Sequence, residues 1–137
     1  MATIEHIRRA VAGLPGVEER ERTSGASWFV RNRPFAWEVH PWPSIPADMR
    51  AIIASEPVLA VKVADRVDAL ALVEMAPEVF LRTTTAWCEP KVAFRLGAID
   101  DEHLRELVID AWRAEAPRYL RRAFDENPPS EAHIRDG

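Results

Sequence analysis

Ile4, Ile7, Val11 and Leu14 recur at helical spacing behind Thr3, and Gly13 with Pro15-Gly16 closes the run. The chain is therefore expected to open with an amphipathic helix capped by a threonine. From Ser27 the period drops to two: Trp28 and Val30, a turn at Asn32, then Phe35, Trp37 and Val39 alternating with Ala36, Glu38 and His40. This predicts a β-hairpin with one buried face. Three prolines between His40 and Pro46 exclude regular structure there, while Ala47 to Ser55 has room for a short helix. Pro41 to Ser55 thus reads as an excursion from the sheet.

Val58 to Val63 is apolar except for Lys62, which suits a central strand. Asp65 then caps a second helix, with Asp68 in its first turn and Val67, Leu70 and Ala71 expected to face inward. That helix ends near Met75, because Pro77 cannot continue it but can start a further turn, Pro77 to Leu81. Thr83 to Trp87 and Lys91 to Leu96 read as a second hairpin, with Val92, Phe94 and Leu96 on its inner face. The last helix has Asp100 as cap, Asp101 and Glu102 in the first turn, and Leu104, Leu107, Val108, Ala111 and Trp112 on one face. Pro117 must break it, and a second piece carrying Leu120 and Phe124 follows.

The elements run α-β-β-β-α-β-β-α, with no internal repeat. That order specifies an α+β fold, in which an antiparallel sheet of two hairpins plus a central strand is flanked by helices. One domain is expected over residues 1–125, followed by a polar, proline-containing tail over 126–137 that should fray.

Composition narrows the class. The 137 residues are 47% hydrophobic and 29% charged, enough for one core, and no apolar run approaches the roughly 20 residues needed to cross a bilayer. Glu5, His6, Arg8 and Arg9 interrupt the first twelve residues, unlike a signal peptide, and the single cysteine, Cys88, has no internal disulfide partner. A cytoplasmic protein without membrane contact is expected. Net charge is −4, so the molecule as a whole should not be drawn to polyanions, and nucleic-acid binding needs a local basic face. All of its basic residues except Lys62 and Lys91 are arginines, which suit phosphate, although a GC-rich genome also favours arginine.

Five segments in series carry a family likeness: Gly13-Leu14-Pro15-Gly16-Val17-Glu18-Glu19, Phe35-Ala36-Trp37, Pro77-Glu78-Val79-Phe80, Val92-Ala93-Phe94-Arg95-Leu96, and Ala111-Trp112-Arg113-Ala114-Glu115-Ala116-Pro117. Together they resemble the MmcQ/YjbR family over roughly Ile4 to Leu120. The resemblance implies a YjbR-like fold similar to CyaY-like and secretion-chaperone-like arrangements. It also implies the DNA-binding, double-wing label that members carry, which is an analogy of fold. Where a His-aromatic pair and then Gly-aromatic-Pro are usual, this chain has Thr85-Ala86-Trp87-Cys88-Glu89-Pro90 and keeps only the proline. No histidine role transfers to this segment.

For DNA, the expected contacts are Arg31 and Arg33 on the first hairpin, Lys91 and Arg95 on the second, and Lys62 between them, neutralising phosphates. Arg118, Arg121 and Arg122 form a second basic cluster, which also suits the C-terminal dipole of a helix. Trp37 and Trp112 fall on core faces, whereas Trp42 and Trp87 lie beside prolines and suit either a ligand or partner surface or the edge of the core. Cys88 has no neighbouring histidine, and Glu38-Val39-His40 is the one pair of metal-ligating residues on a single strand face, too few for zinc. No glycine-rich phosphate loop is present. The expectation is a non-enzymatic protein without cofactor or metal that contacts DNA through its hairpins, as monomer or homodimer. The alternatives are a chaperone-like protein-interaction module and, behind it, a small-ligand binder.

Overall fold

The described residues, 2–23, 25–81 and 91–126 of a computed structural model, contain six strands in one antiparallel sheet. The strands are β1 Val17–Arg22, β2 Gly25–Val30, β3 Arg33–Glu38, β4 Val58–Lys62, β5 Phe80–Leu81 and β6 Lys91–Arg95, in the order β1-β2-β3-β4-β6-β5. The helices are α1 Ile4–Ala12, α2 Ala47–Ser55, α3 Arg66–Met75, α4 Asp101–Glu115 and α5 Arg118–Glu126.

Two hydrophobic clusters divide the sheet by face. Helices α1 and α4 cover one face over the main core, in which Trp28, Phe35, Leu59, Val61, Phe94, Leu104 and Trp112 are buried. On the other face Met49 and Ile53 of α2 pack against Val58, Ala60, Leu81 and Ala93. Ala60 and Ala93 are register partners, and their small side chains let the helix come close to the strands. Strand β4 is buried along its whole length, as a central strand covered on both faces should be.

Helix α1 is fixed at its start by His6, whose Nδ1 accepts from the Thr3 amide at 2.9 Å while its Nε2 lies 3.1 Å from Asp101 Oδ2. Because Nδ1 accepts, Nε2 carries the proton and donates to α4. Asp65 and Asp100 cap α3 and α4 by accepting from the amides of Asp68 and His103, as expected for aspartates in these positions. Pro117 separates α4 from α5, whose Leu120 and Phe124 pack against the main core. Trp112 stacks edge-on against Phe124 and donates its Nε1–H to the Pro15 carbonyl at 3.2 Å.

The structure departs from the sequence pattern in four places. Strand β1 was not expected: after Val17 its five residues are all charged, so it shows no apolar alternation, and an edge strand can take that composition. In β3, Trp28 pairs with Ala36 but Phe29 with Pro34, leaving Phe35 as a bulge. A bulged pair can point to one side, so Phe35 and Ala36 both enter the main core while Trp37 faces the α2 side. The third departure is the face of α3: Val67 is 72% exposed and Leu70 52%, while Ala69 is buried and Leu72 and Val73 face the core. This helix is apolar on both sides, so spacing fits either face. Finally, the turn expected over Pro77 to Leu81 ends in β5, which pairs with β6. The Thr83 to Trp87 strand of the expected hairpin lies outside the described residues.

Candidate functional site

Strand register decides which cations meet. Arg33 pairs with Val30 across the β2–β3 turn, and Lys62 pairs with Lys91. Because β3 and β4 are antiparallel with Ala36 opposite Val61, the turn, the end of β4 and the start of β6 lie at one end of the sheet. Four of the five expected DNA-contacting residues, Arg31, Arg33, Lys62 and Lys91, are therefore brought to one end. Arg95 pairs with Val58 at the opposite end, where its Nε and Nη2 donate to Glu56 at 2.8 and 3.0 Å. The two groups hold each other ionised, with the Glu56 carboxyl below its usual range because Arg95 donates to it. The expected patch joining Arg95 to the rest does not form, because antiparallel pairing places residues at the two ends of β6 on opposite ends of the sheet.

At the shared end, the cations differ in what holds them. Lys62 is buried, with Nζ 3.4 Å from Glu115 Oε1, and the exposed Arg33 lies 3.3 Å from Oε2 of the same carboxylate. A carboxylate flanked by two cations supports the join between α4 and the sheet. Lys91 is half-buried with Nζ 5.4 Å from the centre of the Trp37 ring, within cation–π range.

Arg31 stands apart. It and Asn32 form the whole two-residue turn, both with left-handed backbone, φ 53° and 65°, as in a type I′ hairpin. Asparagine tolerates that conformation, whereas arginine adopts it at a cost. Asn32 Oδ1 accepts from Arg20 at 2.6 Å, and Arg31 Nη1 donates to the Tyr119 hydroxyl of α5 at 3.2 Å. The second contact joins the turn to the helix carrying Arg118, Arg121 and Arg122, all exposed. The tip of the first hairpin thus meets the helix that carries the second basic cluster. Asp125 on the same helix is engaged by Arg113 at 2.6 Å, which, with a smaller contribution from Arg121, keeps its carboxyl below the usual range.

The expected tryptophan surface is described only in part, since Trp87 and Cys88 lie outside the described residues. Trp42 is 48% exposed, its ring 4.2 Å from that of His40, and it lines a depression of about 350 Å³ with Trp37 and Lys91. Glu38 accepts from the Ala26 amide, so the Glu38–His40 pair has one member already engaged. Among the described residues no three His, Cys, Asp or Glu side chains cluster to hold a metal ion, and no helix is long and apolar enough to cross a membrane.

A second concavity, of about 570 Å³, lies between α3 and α4. Leu72, Met75 and Leu107 give it apolar walls, and Asp68, Glu106 and Asp110 stand on its lips. Its α3 wall was not visible in the sequence because Ala71, which lines it, was expected to face inward with Val67 and Leu70. The available signal was that α3 has more apolar residues than one core-facing stripe accounts for.

Comparison with known proteins gives concordant results. The sequence model of the YjbR family matches residues 12–114. Uncharacterized protein Rv2570 of Mycobacterium tuberculosis and Uncharacterized protein Mb2600 of Mycobacterium bovis are each 33% identical over 133 residues, covering 93% of this chain and 98% of theirs. The crystal structure of Deinococcus radiodurans protein DR2400, domain DUF419, superposes with a TM-score of 0.63 at 18% identity, covering 91% of this chain and 89% of that one.

Proposed function

This chain belongs to the YjbR family, and we propose that it is a non-catalytic, cytoplasmic protein that binds nucleic-acid phosphates through the surface joining the β2–β3 turn to α5. The observation that supports this reading is the Arg31–Tyr119 contact, which brings Arg31 to the helix that exposes Arg118, Arg121 and Arg122. Arginine forks pair with phosphate oxygens in a planar, two-pronged geometry. A turn held in left-handed backbone at an arginine also fits a functional tip. Arg33 and Lys62 are held on Glu115 and support this surface, and Arg95 plays no part in it.

Phosphate contacts position a protein but do not read sequence, so the binding expected is weak and indifferent to base order. A short fluorescent duplex titrated by anisotropy at low and moderate salt tests it. Wild-type protein should bind at low salt, and the Arg121→Ala, Arg122→Ala double variant should bind several-fold more weakly.

A further inference from the structure

We infer that the groove between α3 and α4 is a docking site for a cationic amphipathic helical segment of a partner protein. Of the large apolar side chains that the fold leaves in water, Met75 of α3, at 64% exposure, stands in the groove wall beside Ala71 and Leu72. A helix with one apolar face toward the core and a second toward solvent is built to be covered. The groove beside it receives Met75 and Leu72 from α3 and Leu107 from α4, with room for a few further apolar side chains. This is the shape of a helix-in-groove site.

Charge selects the occupant. Glu106 and Asp110 stand one helical turn apart on the α4 lip, and Asp68 stands on the α3 lip, all exposed. The two cations that reach the groove are engaged by carboxylates outside its lining: Arg113 by Asp125 at 2.6 Å, and Lys62 by Glu115 at 3.4 Å. A nucleic acid is repelled by such a rim. A second copy docking face to face would set these carboxylates against their own counterparts across the two-fold axis. A helix with a leucine-type stripe flanked by lysine or arginine satisfies both the apolar walls and the acidic lips.

The probe is a pair of synthetic helical peptides of about four turns, each with leucines at i, i+3, i+4 and i+7. One has lysines flanking the stripe and the other has glutamates in their place. Titrated against the full chain by calorimetry, the lysine peptide should bind at least about tenfold more tightly than the glutamate peptide. The Glu106→Lys, Asp110→Lys double variant should reverse that preference, and Met75→Asp, in the groove wall, should abolish binding of both. Circular dichroism checks that each variant is folded, and Ala71→Asp serves if Met75→Asp is not. Binding of neither peptide, or a preference untouched by the lip charges, overturns the inference. So does a wild-type dimer in sedimentation that Met75→Asp converts to monomer, since the occupant is then a second copy. The residues differ from those of the phosphate-binding surface, so either reading can fail without the other.

Discussion

Arg31 Nη1 and the Tyr119 hydroxyl meet at 3.2 Å although 88 residues separate them. The contact ties the tip of a hairpin to the last described helix, the one that carries Arg118, Arg121 and Arg122, on a protein of net charge −4. The hydrogen bond is exposed and contributes little stability by itself. Its consequence is positional.

Arg31 stability and Arg31 binding should therefore separate. Arg31→Asn puts a residue that favours left-handed backbone at φ 53° and removes the guanidinium. Urea unfolding should find stability unchanged or higher by up to about 0.5 kcal/mol. Duplex affinity should fall in the same variant. A large loss of stability would show that Arg31 serves the fold instead.

Glu115 should matter to folding. It faces the buried Lys62 ammonium and Arg33, and Glu115→Ala takes that negative charge from between them. A loss of about 1–3 kcal/mol is expected by chemical denaturation. Arg33→Ala should cost well under about 1 kcal/mol, because its side chain is 70% exposed.

Gly25 should resist substitution. Its backbone has φ +119°, and an added Cβ would collide with the Glu38 carboxylate that accepts from the Ala26 amide. Gly25→Ala is expected to cost about 1–3 kcal/mol. Because the clash is with Glu38, the Glu38→Ala background should recover part of the loss in a double-mutant cycle.

Acid should weaken the fold for an identifiable reason. Glu18, Glu19, Glu56 and Asp125 all titrate below their usual values, each chiefly because an arginine donates to it: Arg20, Arg8, Arg95 and Arg113 in turn. A carboxylate with a lowered folded pKa contributes stability above its unfolded pKa and loses it as pH falls through the folded value. The thermal midpoint should accordingly hold from neutral pH to about 5 and drop below about 4.5. Glu56→Gln should show a shallower drop than wild type over that window.

The fold was legible where a helix or strand has one apolar face. Leu104, Leu107, Val108, Ala111 and Trp112 specified α4, and Val58 to Lys62 specified the central strand, because burial on a fixed side leaves a periodic trace. The charged β1 leaves no such trace, and α3 leaves two. The bulge at Phe35 shifts alternation by one residue, and Pro34, which has no N–H to give the ladder of an interior strand, was the available signal. The candidate site was half legible: the arginines were visible as residue types, but register places Arg95 at the far end of the sheet, and only the fold brings Arg31 to the helix carrying Arg118, Arg121 and Arg122. The groove was hidden by the same ambiguity that turned α3 around.

The central claim is that a phosphate-binding surface runs from Arg31 to α5, and the salt dependence of duplex binding tests it most directly. The logarithm of the association constant should fall linearly with the logarithm of salt concentration, with a slope of about −0.9 for each phosphate neutralised. For wild type a slope of roughly −3 to −4 is expected from the four exposed arginines Arg31, Arg118, Arg121 and Arg122, and Arg121→Ala with Arg122→Ala should shrink its magnitude by about 2. Undetectable binding at about 20 mM salt, where counterion release is most favourable, or a slope that the double substitution leaves unchanged, contradicts it.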